Sequence, residues 1–134
     1  MRDGRSHNVC LIADDDLFIR QIVSKILFGM AEIITATDGA ECLKLYQEHK
    51  PDIAFIDIHL PIQTGFELTE RLLRQDPDAY LVIMSSDSTA ENVQDALQRG
   101  ARGFLAKPLQ RVKLLQYFNQ CPTIGDNVGE SAAG

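Results

Sequence analysis

At 134 residues, with 45% hydrophobic and 24% charged side chains, the chain has material for one core and is too apolar to remain disordered. Its net charge of −6 argues against direct nucleic-acid binding or adhesion to an anionic membrane, and no run approaches the roughly 18 apolar residues of a membrane helix. The 3 cysteines, Cys10, Cys42 and Cys121, lack C-x-x-C spacing and read as reduced thiols, two of them core filler, which suits a cytoplasmic protein without a zinc site or disulfide framework.

Residues 1–8 are polar and contain no apolar run that could act as a signal peptide. Residues 9–13 (VCLIA) form an apolar run that stops at Asp14-Asp15-Asp16, the pattern of a strand buried on both faces. The spacing of Ile19, Ile22, Val23 and Ile26 predicts a helix over 17–28, capped by Asp16 and stopped by Gly29. A short β-branched strand is expected at 32–36 (EIITA), then a turn and cap at Thr37-Asp38-Gly39 and a helix over 40–49.

A third buried strand at 53–58 (IAFIDI) carries a lone aspartate, Asp57. A loop with Pro61 and Gly65 leads to a helix whose Phe66, Thr69, Leu72 and Leu73 share a face, and Pro77 ends it. The fourth strand is 80–84 (YLVIM), followed by Ser85-Ser86-Asp87-Ser88. Ser88 and Glu91 have capping-box spacing for a helix with Val93, Ala96 and Leu97 on one side and Gly100 at its end. The fifth strand, 103–106, runs into Lys107-Pro108, and Val112, Leu115 and Phe118 mark a last helix. The small, polar segment 121–134 reads as a disordered tail or the start of a linker to an output domain.

Strands alternating with helices imply an α/β fold: a three-layer, doubly wound, five-stranded parallel sheet of order 2-1-3-4-5. Ligands in such folds sit beyond the carboxyl ends of the strands, at the switch point between strands 1 and 3. Asp14 and Asp15 leave strand 1, Asp57 strand 3, Ser85 strand 4 and Lys107 strand 5. Each residue alone reads equally well as a cap, a turn or a surface group; together they are five compatible groups on one edge.

A carboxylate in a buried strand costs several kcal/mol unless compensated, and two unit charges about 5 Å apart repel by roughly 3 kcal/mol at an effective dielectric of 20. Lys107 offsets only part of this. Oxygen ligands without His or Cys suit a hard divalent cation, Mg²⁺, which keeps waters for phosphate. With cation and lysine in place the edge can receive a phosphoryl group: Asp57 as nucleophile, Lys107 pairing with one phosphoryl oxygen, Ser85 donating to another.

In this order the segments 11–16 (LIADDD), 55–61 (FIDIHLP), Gly65, 84–86 (MSS) and 107–108 (KP) resemble the receiver domains of two-component response regulators, with a flavodoxin-like fold over residues 8–120. The resemblance implies phosphoryl transfer to Asp57 from a sensor histidine kinase or a phosphotransfer protein, and only the domain's own autodephosphorylation in place of turnover on separate substrates. It implies Mg²⁺ on Asp15, Asp57 and the His59 carbonyl, with Asp14 acting through water, and a cis Lys107–Pro108 peptide. Ser85 and Phe104 match the family's switch positions. Their movement would remodel the surface of helix 4, strand 5 and helix 5 for an output partner, a fused domain or a phosphorylation-dependent homodimer.

There are departures. Gln63-Thr64-Gly65 stands where many members have Met-Asp-Gly, and Phe104 lacks the common tyrosine's hydroxyl. His59 and Asp87 occupy variable positions beside the phosphoryl group and its attacking water; they read as groups that tune dephosphorylation or, the better reading, as tolerated surface variants. His7 and His49 have no assigned role. Two alternatives share the fold: a phosphate-independent interaction module and an aspartate-nucleophile phosphatase. The phosphatase reading lacks the cap insertion that shapes a substrate pocket. A flavin carrier is disfavoured because three aspartates after strand 1 would repel its phosphate.

Overall fold

The computed structural model describes residues 1, 2 and 4–125. Strands form at the apolar and β-branched runs: β1 (Val9–Ala13), β2 (Glu32–Ala36), β3 (Ile53–Asp57), β4 (Leu81–Ser85) and β5 (Gly103–Ala106). Around them run α1 (Leu17–Ile26), α2 (Gly39–His49), α3 (Gly65–Gln75), α4 (Ala90–Gln98) and α5 (Arg111–Gln120). Every pairing is parallel and the order is β2-β1-β3-β4-β5. This is the doubly wound sheet that the alternation predicts.

Every residue of β1, β3 and β4 is buried, because helices cover both faces. Successive side chains point to opposite faces. Leu11, Ile56 and Ile83 pack with Cys42, Tyr46, Leu68 and Ala96 from α2, α3 and α4. On the other side Ile12, Phe55 and Met84 pack with Val23 of α1 and Leu114 and Phe118 of α5. Full burial of one such aliphatic or aromatic side chain contributes about 1.5–3 kcal/mol. Two packed layers therefore hold the carboxyl edge of the sheet rigid.

Local details depart from the sequence reading. Helix α1 ends at Ile26, and Phe28, read as helical, lies beyond it and is exposed. Ile22 points outward; Ile19, Val23 and Ile26 make the buried face. The N-cap of α4 is Thr89, whose hydroxyl accepts from the Asn92 N–H, so the Ser88–Glu91 capping box does not form. A capping box exists instead at α3, between Thr64 and Glu67. In α5 the core positions are Leu114 and Phe118, whereas Val112 is 68% exposed. All three cysteines are free and buried, one more than the two read as core filler. Burial pushes the Cys10 thiol up and the Cys42 thiol up to about 12, which leaves both unreactive.

The two ends of the described chain meet at the amino edge of the sheet. Arg2 donates to both oxygens of Asp76 at 2.7 and 3.0 Å, and the Tyr46 hydroxyl donates to the same carboxylate at 2.8 Å. Fully buried Asp52 accepts from Arg5 at 3.0 Å and from the Val9 N–H at 2.8 Å. Of the segment 121–134, read as a tail, Cys121 is buried and Ile124 packs against the α1–α5 layer. The Asn8 amide donates to the Gly125 carbonyl and accepts from the Gly125 N–H, each at 2.9 Å. That side chain supplies backbone-like partners that the polar composition of the segment does not reveal. Residues 126–134 lie outside the described residues.

Candidate functional site

Asp14 follows the last residue of β1, and Asp57 is the last residue of β3, the neighbouring strand. Oxygens of Asp14, Asp15 and Asp57 lie within 4.8 Å of one another; Asp14 and Asp57 are buried and Asp15 is exposed. From the end of β5, the Lys107 ammonium reaches Asp14 Oδ2 at 2.7 Å and Asp57 Oδ1 at 3.4 Å. The Lys107–Pro108 peptide is cis. The switch point therefore gathers three carboxylates and one ammonium.

Burial raises the Asp57 pKa, and the neighbouring Asp14 charge raises it further. The Lys107 charge and the His59 N–H work the other way without prevailing. Burial of Lys107 favours its neutral form, but its hydrogen bond to Asp14 and the charges of Asp57 and Asp14 outweigh this and hold the ammonium above its ordinary value. One cation cannot balance three acids at this range.

The donor set suits a hard divalent cation: carboxylate oxygens, no imidazole or thiolate, and one open side where Asp15 faces solvent. Asp14 supplies the clearest sign of fit. Its Oδ1 accepts from the Asp16 N–H at 2.9 Å, while Oδ2, buried, has no hydrogen bond in good geometry beyond its ion pair with Lys107.

The remaining sequence candidates lie close by without joining the carboxylates. Ser85 ends β4 and is wholly buried; its hydroxyl accepts from the Asp87 N–H at 2.9 Å. Two residues beyond Asp57, His59 is exposed and contributes its N–H to the Asp57 carboxylate. Phe104 in β5 is half-buried and packs against the α2–α3–α4 layer.

Two further residues shape the site. Arg20, in α1, donates to the Asp14 carbonyl at 2.9 Å and fixes the turn out of β1; an arginine four residues after Asp16 is its only mark in sequence. At Gly65 a Cβ would sit 2.4 Å from the Asp57 carbonyl oxygen and 2.9 Å from Ile58 Cα. Only glycine lets α3 begin against the end of β3, where the Gly65 N–H donates to the Ile58 carbonyl at 2.8 Å.

Residues 10–119 match the response regulator receiver domain. The chain belongs to that family. Among relatives, it is 32% identical over 114 residues to the chemotaxis protein CheY of Halobacterium salinarum, a match taking in 84% of this chain and 95% of that protein. It is 35% identical over 101 residues to a protein-glutamate methylesterase/protein-glutamine glutaminase of Haloarcula marismortui, where 73% of this chain spans only 27% of the relative. Among solved structures, the CheX–CheY–BeF3–Mg complex from Borrelia burgdorferi superposes with a TM-score of 0.77 at 31% identity, covering 83% of this chain and 86% of that one. Among the described residues of this receiver domain, no helix is long and apolar enough to cross a membrane.

Proposed function

We propose that the chain is a phosphorylation-dependent signalling switch whose acceptor is Asp57, with residues 8–120 forming the receiver domain. The observation that carries this reading is the convergence of the Asp14, Asp15 and Asp57 oxygens within 4.8 Å of one another beside Lys107. A Mg²⁺ ion held by Asp14, Asp15, Asp57 and the His59 carbonyl would supply the positive charge that phosphoryl oxygens require.

The chain's own residues do the rest. An Asp57 carboxylate oxygen attacks phosphorus; the P–N bond of a phosphohistidine breaks and its electron pair returns to the imidazole nitrogen, leaving an acyl phosphate. Lys107 is placed to pair with a phosphoryl oxygen. The Ser85 hydroxyl, now accepting from the Asp87 N–H, is placed to turn and donate to another. That turn would vacate space for the half-buried Phe104 ring and alter the α4–β5–α5 surface, a shift between pre-existing states.

The donor fits a sensor histidine kinase or phosphotransfer protein. Leu17 and Phe18, 56% and 74% exposed, follow directly on the acidic turn and offer an apolar footing for it. A partner or a further domain reads the altered surface, in the cytoplasm where such donors act. Incubation with acetyl phosphate and Mg²⁺ should add one phosphoryl group by intact mass, and none to Asp57→Asn. Asp15→Ala should weaken Mg²⁺ binding at least tenfold. A wild-type chain that stays unmodified overturns the acceptor assignment and favours the phosphate-independent module.

A further inference from the structure

Strand β5 is an edge strand: it pairs with β4 alone, in the register Val82↔Gly103, Ile83↔Phe104 and Ser85↔Ala106. Amides on the outer side of an edge have no ladder partner. The Phe104 N–H is met there by a side chain, donating to the Tyr117 hydroxyl of α5 at 3.4 Å.

The same tyrosine covers the residue before it. A Cβ on Gly103 would fall 2.1 Å from Tyr117 Cε1, 2.4 Å from Cζ and 2.7 Å from Cδ1. The ring therefore lies directly on the Gly103 backbone, in space that any other residue would fill. Tyr117 packs with the α1–α5 layer, whereas the Phe104 ring packs with the opposite one. One side chain thus reads the backbone of β5 from the face that the Phe104 ring does not occupy.

We infer that Tyr117 is a positioning residue that ties β5 to α5, so that any displacement of the Phe104 backbone is passed to the helix on the other side of the sheet. This rests on the switch reading of Asp57 for its trigger. The coupling needs both contacts: the ring against Gly103 sets the separation of helix and strand, and the hydroxyl fixes their register. Phe104 itself has no ring hydroxyl with which to report its position, and Tyr117 supplies one through the backbone.

The test uses ¹⁵N-labelled chain, wild type and Tyr117→Phe, which keeps the ring and deletes the hydroxyl. Amide spectra are recorded before and during incubation with acetyl phosphate and Mg²⁺, with occupancy of Asp57 followed by intact mass. In the wild type the amides of Phe104 and of residues 111–120 should shift together. In Tyr117→Phe occupancy and the Ser85 shift should be unchanged, while the α5 shifts fall at least twofold. In the unphosphorylated variant, hydrogen exchange at the Phe104 amide should quicken about fivefold, the equivalent of one ordinary hydrogen bond. Wild-type α5 shifts in the phosphorylated variant, or none in the phosphorylated wild type, overturn the coupling. A wild type that takes up no phosphate strikes the acceptor reading instead; unchanged Phe104 exchange in Tyr117→Phe would then still remove the tie.

Discussion

Lys107 stands closer to Asp14 than to Asp57, at 2.7 Å against 3.4 Å. Its charge is committed first to a fully buried carboxylate whose second oxygen has no other partner. A cation joining the acids would relieve Asp14 and release the ammonium toward whatever Asp57 carries. On the proposed reading the lysine would compete with the metal for these acids before transfer and pair with the phosphoryl group after it.

That competition predicts the phenotype of Lys107→Met. Removing a positive charge from an acidic cluster should tighten Mg²⁺ binding several-fold, while the metal-free protein melts lower because Asp14 loses its partner, at a cost of about 3 kcal/mol. Calorimetric Mg²⁺ titration and melting curves check both. Weaker Mg²⁺ binding would show that Lys107 organises the carboxylates and does not compete for them.

Asp57→Asn should stabilise the metal-free protein at neutral pH. Burial and the Asp14 charge raise the Asp57 pKa in the folded state, so between the ordinary value and the raised one the folded chain holds a proton that the unfolded chain has released. Stability is then lost as pH rises from the ordinary carboxylate value through the raised one. The asparagine variant escapes that loss, and relief of part of the repulsion is worth about 1 kcal/mol, or ~4 °C in Tm. The difference should shrink as pH falls toward 4. Added Mg²⁺ should also close it, by stabilising the wild type alone. Melts at matched pH with and without chelator are the measurement.

The strands were legible because a buried parallel strand must be apolar along its whole length, and β1 and β3 each ran up to an aspartate that announced the edge. The acids followed from topology: once β1 and β3 are neighbours, residues leaving them must meet. Helix details were less legible. Ser88 and Thr89 are adjacent cap formers, and it is the Thr89 hydroxyl that meets the Asn92 N–H. Val112 and Leu114 lie on opposite sides of a short helix, and the side that Leu114 shares with Phe118 is the one buried. Arg2 and Arg5 had no readable role, because their partners Asp76 and Asp52 are far away in sequence. The Tyr117–Gly103 contact is likewise a matter of crossing helix and strand, which no local pattern records.

Gly65→Ala should damage both stability and phosphorylation. The new methyl would lie 2.4 Å from the Asp57 carbonyl oxygen, a backbone atom that cannot swing aside. Forcing α3 away from β3 should cost about 1–3 kcal/mol by overpacking and disturb the peptide that carries Asp57. Denaturant melts should show the first effect, and a slower gain of mass from acetyl phosphate the second. An alanine variant as stable and as readily phosphorylated as wild type would mean that the start of α3 can shift without consequence.

Arg2→Ala tests the clamp at the opposite edge. The hydrogen bond from Arg2 is the main cause of the depressed Asp76 pKa, with burial opposing it and the Tyr46 hydroxyl assisting. For a carboxyl held below its ordinary value, the stabilisation is fully present above that value and disappears as pH falls through the depressed one. Losing a charged, half-shielded hydrogen-bonded pair should therefore cost about 1.5–3 kcal/mol at pH 7. The deficit should dwindle only below about pH 4. Chemical denaturation of both proteins between pH 3 and 7 gives the curve. A deficit that is constant across the whole range would assign the loss to the Arg2 hydrogen bonds to the Tyr46 hydroxyl and the Pro51 carbonyl, with the ion pair contributing nothing measurable.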